Sequence, residues 1–272
     1  MSPLPLWLLA RAIAGATAVV AAEALVRLPR FQAVNYLGKT IPTAYGTGGA
    51  GAQVLAVLMF AAVGMRVARP VALVSLGLGA LCLLGLVDDL FGRGGPFGLR
   101  GHVRVLFKER RVTTGVLKLL LGGGACLAVG LALRPGSPWQ GVADGLLLAS
   151  FANLLNLLDR RPGRVQKVFV VGLAAAVLLK GWRGLAPMLP FAAAMLAFLP
   201  EDVAGLKMMG DAGSNATGFA LAFLLLDAPL YGRLTALALA LALNLASERY
   251  SFTHIIERNR VLRFLDRTPR TQ

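Results

Sequence analysis

Two carboxylates stand side by side at the end of an apolar run in "LLGLVDDLFGR", residues 83 to 93. Adjacent acids disfavour each other's ionisation, so Asp88 and Asp89 call for a partner that offsets the repulsion. Asp159 at the end of a second apolar run and Asp211 before a third offer further oxygen donors from separate elements. Such hard donors suit Mg²⁺, with Mn²⁺ as the alternative, and a divalent charge would offset the cost of the pair. Cys82 and Cys126 both lie inside apolar runs and the chain has only 2 histidines, so neither a zinc site nor a disulfide framework is on offer. On this stretch alone a second reading stays open, in which the pair caps a helix or meets loop arginines.

Asn153 and Asn156 are three apart, and Asp159 continues the same line of a helix. Polar groups so spaced in an apolar helix face the protein interior, either toward a site or toward hydrogen bonds with a neighbouring helix. In "MGDAGSNATG" the small residues Gly210, Gly213 and Gly218 flank Asp211. They permit a tight helix entry and close approach to a phosphate at a helix N-terminus. Helix packing is the other use for Gly213 and Gly218.

The solvent for these elements is set by composition. Of 272 residues, 57% are hydrophobic and 15% charged, and the mean hydropathy is +0.69, values that point to an all-α, polytopic integral membrane protein. Windows of about 20 residues give nine transmembrane helices, near 4–26, 48–66, 70–88, 113–133, 140–158, 167–181, 185–200, 213–230 and 233–248. The first is a span rather than a secretory signal, because Met1 to Ala10 carries no Lys or Arg and the run is long. With the N-terminus outside, the internal segments hold 21 of the 28 basic residues, which puts the C-terminus in the cytoplasm. The net charge of +15 sits in short gaps between apolar runs, suiting loops beside anionic lipid and not a nucleic-acid partner.

That orientation puts four polar clusters on one face: "NYLGKTIPTAYG" (35–46), the Asp pair with the basic stretch up to Lys118, "NLLNLLDRRPGRVQK" (153–167) and "LKMMGDAGSNATG" (206–218). Convergence on one face is what a single cytoplasmic active site requires. Residues 1–248 are therefore expected to form one transmembrane catalytic domain, and 249–272 a basic amphipathic tail. The tail's mix of Phe252, Ile255, Ile256, Leu262 and Leu265 with arginines suits a helix lying on the inner leaflet. A contact between two copies in a homodimer is the alternative.

The stretches "GKTIPTAYG", "GLVDDLFG", "NLLNLLD" and "MGDAGS", in this order, resemble the polyprenyl-phosphate N-acetylhexosamine-1-phosphate transferase superfamily. That superfamily includes phospho-N-acetylmuramoyl-pentapeptide translocase and undecaprenyl-phosphate N-acetylglucosamine-1-phosphate transferases. The resemblance implies Mg²⁺-dependent transfer of a sugar 1-phosphate from a UDP-sugar to a polyprenyl phosphate in the bacterial plasma membrane, releasing UMP, for cell-envelope polysaccharide synthesis. It implies that Asp88 and Asp89 are the catalytic pair, with Asp88 as base or nucleophile, and that Asp211 binds the metal with them. It further implies substrate binding by Asn153, Asn156 and Asp159, with Lys39 and Lys118 as partners for diphosphate or nucleotide.

The chain departs from this pattern in three places. Asp159 is followed by Arg160, Arg161 and Pro162 rather than by a second carboxylate, His102 and His254 stand isolated where a His-rich motif occurs in the pentapeptide translocases, and nine spans replace ten. A pentapeptide-bearing substrate is thereby disfavoured. Arg160, Arg161 and Arg164 either grip substrate phosphates or form a solvated basic loop. The competing class is a non-catalytic relative that transports lipid-linked intermediates or acts as a scaffold, but a transporter would carry polar groups near the midplane of several spans.

Overall fold

Within a bilayer each backbone N–H and C=O must find an internal partner, which favours helices over open strands. The computed structural model, which describes residues 4–92, 98–110 and 112–268, is accordingly mostly helical. Helix α1 (Leu4–Val26) leads through a 3-10 turn (Pro29–Phe31) into a short ribbon of β1 (Gln32–Val34) and β2 (Thr40–Pro42). Then come α2 (Gly46–Ala62), α3 (Arg69–Phe91), α4 (Gly98–Glu109) and α5 (Thr114–Leu117), the last continuing through a π-helical stretch (Lys118–Gly122) into α6 (Gly123–Leu133). Helices α7 (Pro138–Leu158) and α8 (Arg164–Lys180), a 3-10 segment (Trp182–Met188), α9 (Leu189–Ala197), α10 (Leu199–Val203), α11 (Gly210–Leu225) and α12 (Leu230–Ser247) complete the bundle. The tail forms α13 (Phe252–Arg258) and α14 (Arg260–Arg267); its residues 269–272 lie outside the described residues.

Among the described residues four helices are long and apolar enough to cross a membrane: Arg69–Phe91, Thr114–Leu133, Pro138–Leu158 and Leu230–Ser247. The run expected as one helix over 185–200 is instead divided among the 3-10 segment, α9 and α10, because Pro187, Pro190 and Pro200 each remove a backbone donor. The helix expected from 213 starts earlier, so Asp211 lies in the first turn of α11 rather than before it. The ribbon is a further difference from the all-α expectation. The Asn35 side chain accepts the Leu37 and Lys39 N–H groups at 2.9 and 3.0 Å, and Gly38 turns the chain at φ +76°, which pairs Ala33 with Ile41.

Helix α11 is the axis of the bundle, buried from Ala212 to Leu224 and packed against α2, α3, α7 and α8. Lipid tails are as apolar as leucine, so membrane helices gain by close backbone approach through small residues. A Cβ on Gly46 would lie 2.0 Å from Gly213 Cα, and one on Gly218 would lie 2.2 Å from Phe151 O. Gly213 and Gly218 thus serve helix packing. Between α2 and α3 the buried Gln53 donates to Ser75 Oγ at 2.9 Å and to Pro187 O at 2.8 Å, tying both helices to the 3-10 segment.

The tail is two short helices rather than one. Asn259 ends α13 and caps α14 by accepting the N–H groups of Val261 and Leu262, both at 3.0 Å. The pair docks on the N-terminal end of α8, while Val261, Phe264 and Leu265 stay exposed.

Candidate functional site

Four helix ends converge where the polar clusters of the sequence meet: the C-terminal turns of α3 and α7 and the N-terminal turns of α5 and α11. The approach of α3 to α11 depends on Gly85, where a Cβ would lie 2.3 Å from Asp211 O. Gly210 adopts φ +73°, the left-handed region, and a Cβ there would meet Asp89 Oδ2 at 2.7 Å. The segment 35–46 joins through backbone bonds, Met208 N–H to Pro42 O at 2.8 Å and Gly46 N–H to Met209 O at 3.3 Å.

Lys118, at the start of the π-helical stretch, is the hub. Its ammonium donates to Asp88 Oδ2 at 2.8 Å and also to Asp211 Oδ2, and its side chain is only 16% exposed. A π-helical widening is uncommon and frequent at functional sites; here it begins at the residue that joins α3 to α11.

Asp89 plays a different part. Its Oδ1 accepts the N–H of Asp211 at 2.9 Å and its Oδ2 the N–H of Ala212 at 3.0 Å. It therefore satisfies two of the four orphan donors at the N-terminus of α11 from a neighbouring helix, with its charge facing the positive end of that helix. The two adjacent acids are split in use: Asp88 turns to the lysine and Asp89 to the backbone.

Asn156 closes the cluster. The amide orientation that matches donors to acceptors puts its nitrogen 2.9 Å from both Ser214 Oγ and Asp211 Oδ1, and its oxygen 3.3 Å from Lys118 Nζ. Asn215 Nδ2 donates to Asp211 O at 2.6 Å. Asp211 is thus fixed from three sides while part of its carboxylate remains accessible, at 31% exposure of the side chain.

A second layer of acid lies behind this cluster. Asp159 caps the C-terminus of α7. Burial, reinforced by the facing carboxylates of Asp202, Asp211 and Asp89, holds its carboxyl well above the usual carboxylate range. Asp202 of α10 is buried, accepts the Gly163 N–H at 3.0 Å and faces the Tyr45 hydroxyl. Gln166, also buried, donates to Tyr45 Oη at 3.1 Å. None of Tyr45, Gln166, Asp202 and Ser214 stood out in the sequence. Tyr45, Gln166 and Ser214 lie inside the polar stretches 35–46, 153–167 and 206–218, whereas the acidic pair in "LPEDVAG" is the one signal for Asp202.

The remaining candidates are placed elsewhere. Asn153 turns away from the carboxylates and donates to Asn244 Oδ1 of α12 at 2.6 Å, the interhelical use. Lys39 is exposed in the ribbon turn and Arg160 is exposed after α7. Arg164 is not a phosphate grip in this arrangement: it is buried, its guanidinium engages both oxygens of Asp266 at 2.8 and 3.0 Å, and it donates to Thr253 Oγ1 at 2.8 Å. Arg161 reaches Glu257 Oε1 at 3.1 Å and lies 4.2 Å from the centroid of the Tyr36 ring. The basic loop thus binds the chain's own tail and ribbon.

Two carboxylates sharing one ammonium leave the Asp88–Lys118–Asp211 cluster with a net charge of −1. Mg²⁺ is held in many phosphate enzymes by one or two carboxylates, with water and substrate phosphate completing the shell. Asp88 and Asp211 fit that mode, whereas both Asp89 oxygens are engaged by backbone N–H groups. Among the described residues no group of three or more His, Cys, Asp or Glu side chains forms an all-protein cage.

No family model matches this chain, and no curated protein matches it.

Proposed function

We propose that the chain is a polyprenyl-phosphate sugar-1-phosphate transferase, using a UDP-sugar as donor. The observation that carries this reading is the meeting of Asp88, Lys118 and Asp211 from three separate helices at one end of an apolar bundle. A lipid phosphate can reach such a place sideways from the bilayer and a nucleotide from water.

In the reaction, an oxygen of the polyprenyl phosphate attacks the β-phosphorus of the UDP-sugar and the bond to the α-phosphate oxygen breaks. UMP leaves, and the lipid carries a diphosphate sugar. Phosphoryl transfer demands charge neutralisation and in-line placement more than covalent help from the protein. Lys118 supplies a positive charge for the diphosphate oxygens, and Asp88 accepts the proton of the incoming phosphate. Asp89 holds the end of α11 in place, and Asn156 fixes both Lys118 and Asp211. Mg²⁺ held by Asp88 and Asp211 would neutralise phosphate charge at the same point.

This reading includes nine membrane crossings, an outside N-terminus, a cytoplasmic C-terminus and a site on the cytoplasmic face of a bacterial plasma membrane. The direction of the site-bearing helices supports it, since the C-terminal ends of α3 and α7 meet the N-terminal ends of α5 and α11, as alternating crossings require. Membership of the N-acetylhexosamine-1-phosphate transferase superfamily belongs to the same proposal, resting on the four motifs. The test incubates purified protein with Mg²⁺, undecaprenyl phosphate and a panel of UDP-sugars and measures UMP. Release above a protein-free control with at least one sugar is expected; none with any sugar overturns the reading.

A further inference from the structure

The opposite end of the bundle contains a cavity of about 360 Å³ between α1, the α2–α3 turn and the 3-10 segment Trp182–Met188. Its wall is largely apolar, including Phe60, Val67, Val71 and Pro187, yet it carries three arginines, Arg11, Arg66 and Arg183. No carboxylate is among the described residues that line it.

Arg11 lies in the body of α1 and is only 8% exposed. Its guanidinium donates to Ala186 O at 3.0 Å and sits 5.9 Å from the centroid of the Phe60 ring. A charge on a membrane helix is costly and marks a functional position by default. Here the guanidinium is built into the cavity wall, while Arg66 and Arg183 stand exposed at its mouth. Three like charges around an apolar cavity repel one another, and an anion between them removes that cost.

The level of the cavity identifies the anion's source. Trp182, beside Arg183, is 62% exposed. Trp139 at the start of α7 and Tyr231 at the start of α12 are also exposed and belong to the same end. Arg69 of α3 bonds Ala132 O, while Arg134 and Arg233 share the buried Asp144, which ties these helix ends together. Exposed Trp and Tyr at one level mark a membrane–water boundary. A phosphate at that level with a hydrocarbon wall beneath it is the shape of a phospholipid.

We infer that this cavity binds an anionic membrane phospholipid, with its headgroup phosphate between Arg11, Arg66 and Arg183 and an acyl chain along the apolar wall. The site is independent of the transferase reading and lies at the other end of the molecule. Its role is to fasten α1 to the α2–α3 turn through a component of the bilayer itself.

The full chain, purified in neutral detergent, is titrated with phosphatidylglycerol and bound lipids are counted by native mass spectrometry. The wild type should show one site tighter than the rest, and Arg66→Gln with Arg183→Gln should weaken that site by about thirtyfold. Arg258→Gln with Arg263→Gln, in the tail at the other end, should leave it unchanged. Arg11 is kept in both variants so that the bundle stays intact. Retained tight binding in the Arg66/Arg183 variant, or its loss in the tail variant, overturns the assignment. Equal binding of phosphatidylcholine overturns the anionic preference, and displacement by an equal concentration of glycerol phosphate shows a soluble anion site instead.

Discussion

Asp89→Asn tests how the end of α11 is held. In the native chain one carboxylate accepts two backbone N–H groups, from Asp211 and Ala212, at 2.9 and 3.0 Å. Hydrogen bonds to a charged group contribute about 1.5–3 kcal/mol each, and a negative charge at a helix N-terminus adds roughly 0.3–1 kcal/mol. Asparagine keeps one acceptor oxygen, but its NH₂ must face the second N–H, donor against donor. With the carboxylate ionised, one charge-assisted bond and the dipole interaction are lost, so the expected destabilisation is up to about 4 kcal/mol. Equilibrium unfolding in mixed micelles, followed by circular dichroism, reads this directly. Asp227→Asn is the comparison, since Asp227 is 78% exposed and forms a surface pair with Lys180; it should unfold with the wild type. If Asp89→Asn unfolds at the same denaturant concentration as Asp227→Asn, Asp89 does not anchor α11.

Asp159 holds its proton more tightly in the fold than in the unfolded chain, so the native state binds the extra proton. Stability therefore falls as pH rises from about 3.9, the unfolded value, up to the raised folded value. Asp159→Asn should unfold later than the wild type above that window, with a smaller pH slope in thermal melts; an unchanged slope would show that Asp159 does not hold its proton more tightly in the fold. Gly46→Ala drives a Cβ to 2.0 Å from Gly213 Cα and should cost about 3 kcal/mol, whereas Gly51→Ala meets Ala18 Cβ at an ordinary 3.6 Å and should be tolerated in the same melts. Asp266→Ala leaves the buried Arg164 guanidinium without its bidentate partner. Trypsin should then cut the tail at Arg258, Arg260 or Arg263 at least about tenfold faster while the bundle stays intact, and an unchanged rate would show that the ion pair does not hold the tail.

The charges most legible in the sequence are those an apolar context isolates. Asp88, Asp211 and Lys118 stand at the edges of long hydrophobic runs, so their place near the ends of apolar helices is evident from the order of residues alone. Spacing served less well for the asparagines. Three residues fall about 60° short of a full turn, enough for Asn156 to face Lys118 and Asp211 while Asn153 turns to Asn244 on α12. Arg164 and Asp266 are 102 residues apart, and nothing local to either predicts that a loop arginine is consumed by the tail. Asp202 lies on the short α10, where proline-broken helix gives no periodicity to place it. The ribbon at 32–42 was hidden because its strands are three residues each, too short for alternation to show. Mostly helical structure with helices long and apolar enough to cross a membrane was legible because length and hydropathy alone decide it.

Asp88, Lys118 and Asp211 are proposed to form one phosphoryl-transfer site. Its most direct measurement is UMP release by wild type and by Asp211→Asn, each verified as folded, with the UDP-sugar found active, undecaprenyl phosphate and Mg²⁺. Asparagine preserves the size of Asp211 and can still bond Lys118 through its oxygen, but it removes the negative charge. Turnover should fall at least about a hundredfold, the scale of removing one main electrostatic stabiliser. A folded Asp211→Asn protein that releases UMP at the wild-type rate, still dependent on Mg²⁺, would contradict that proposal.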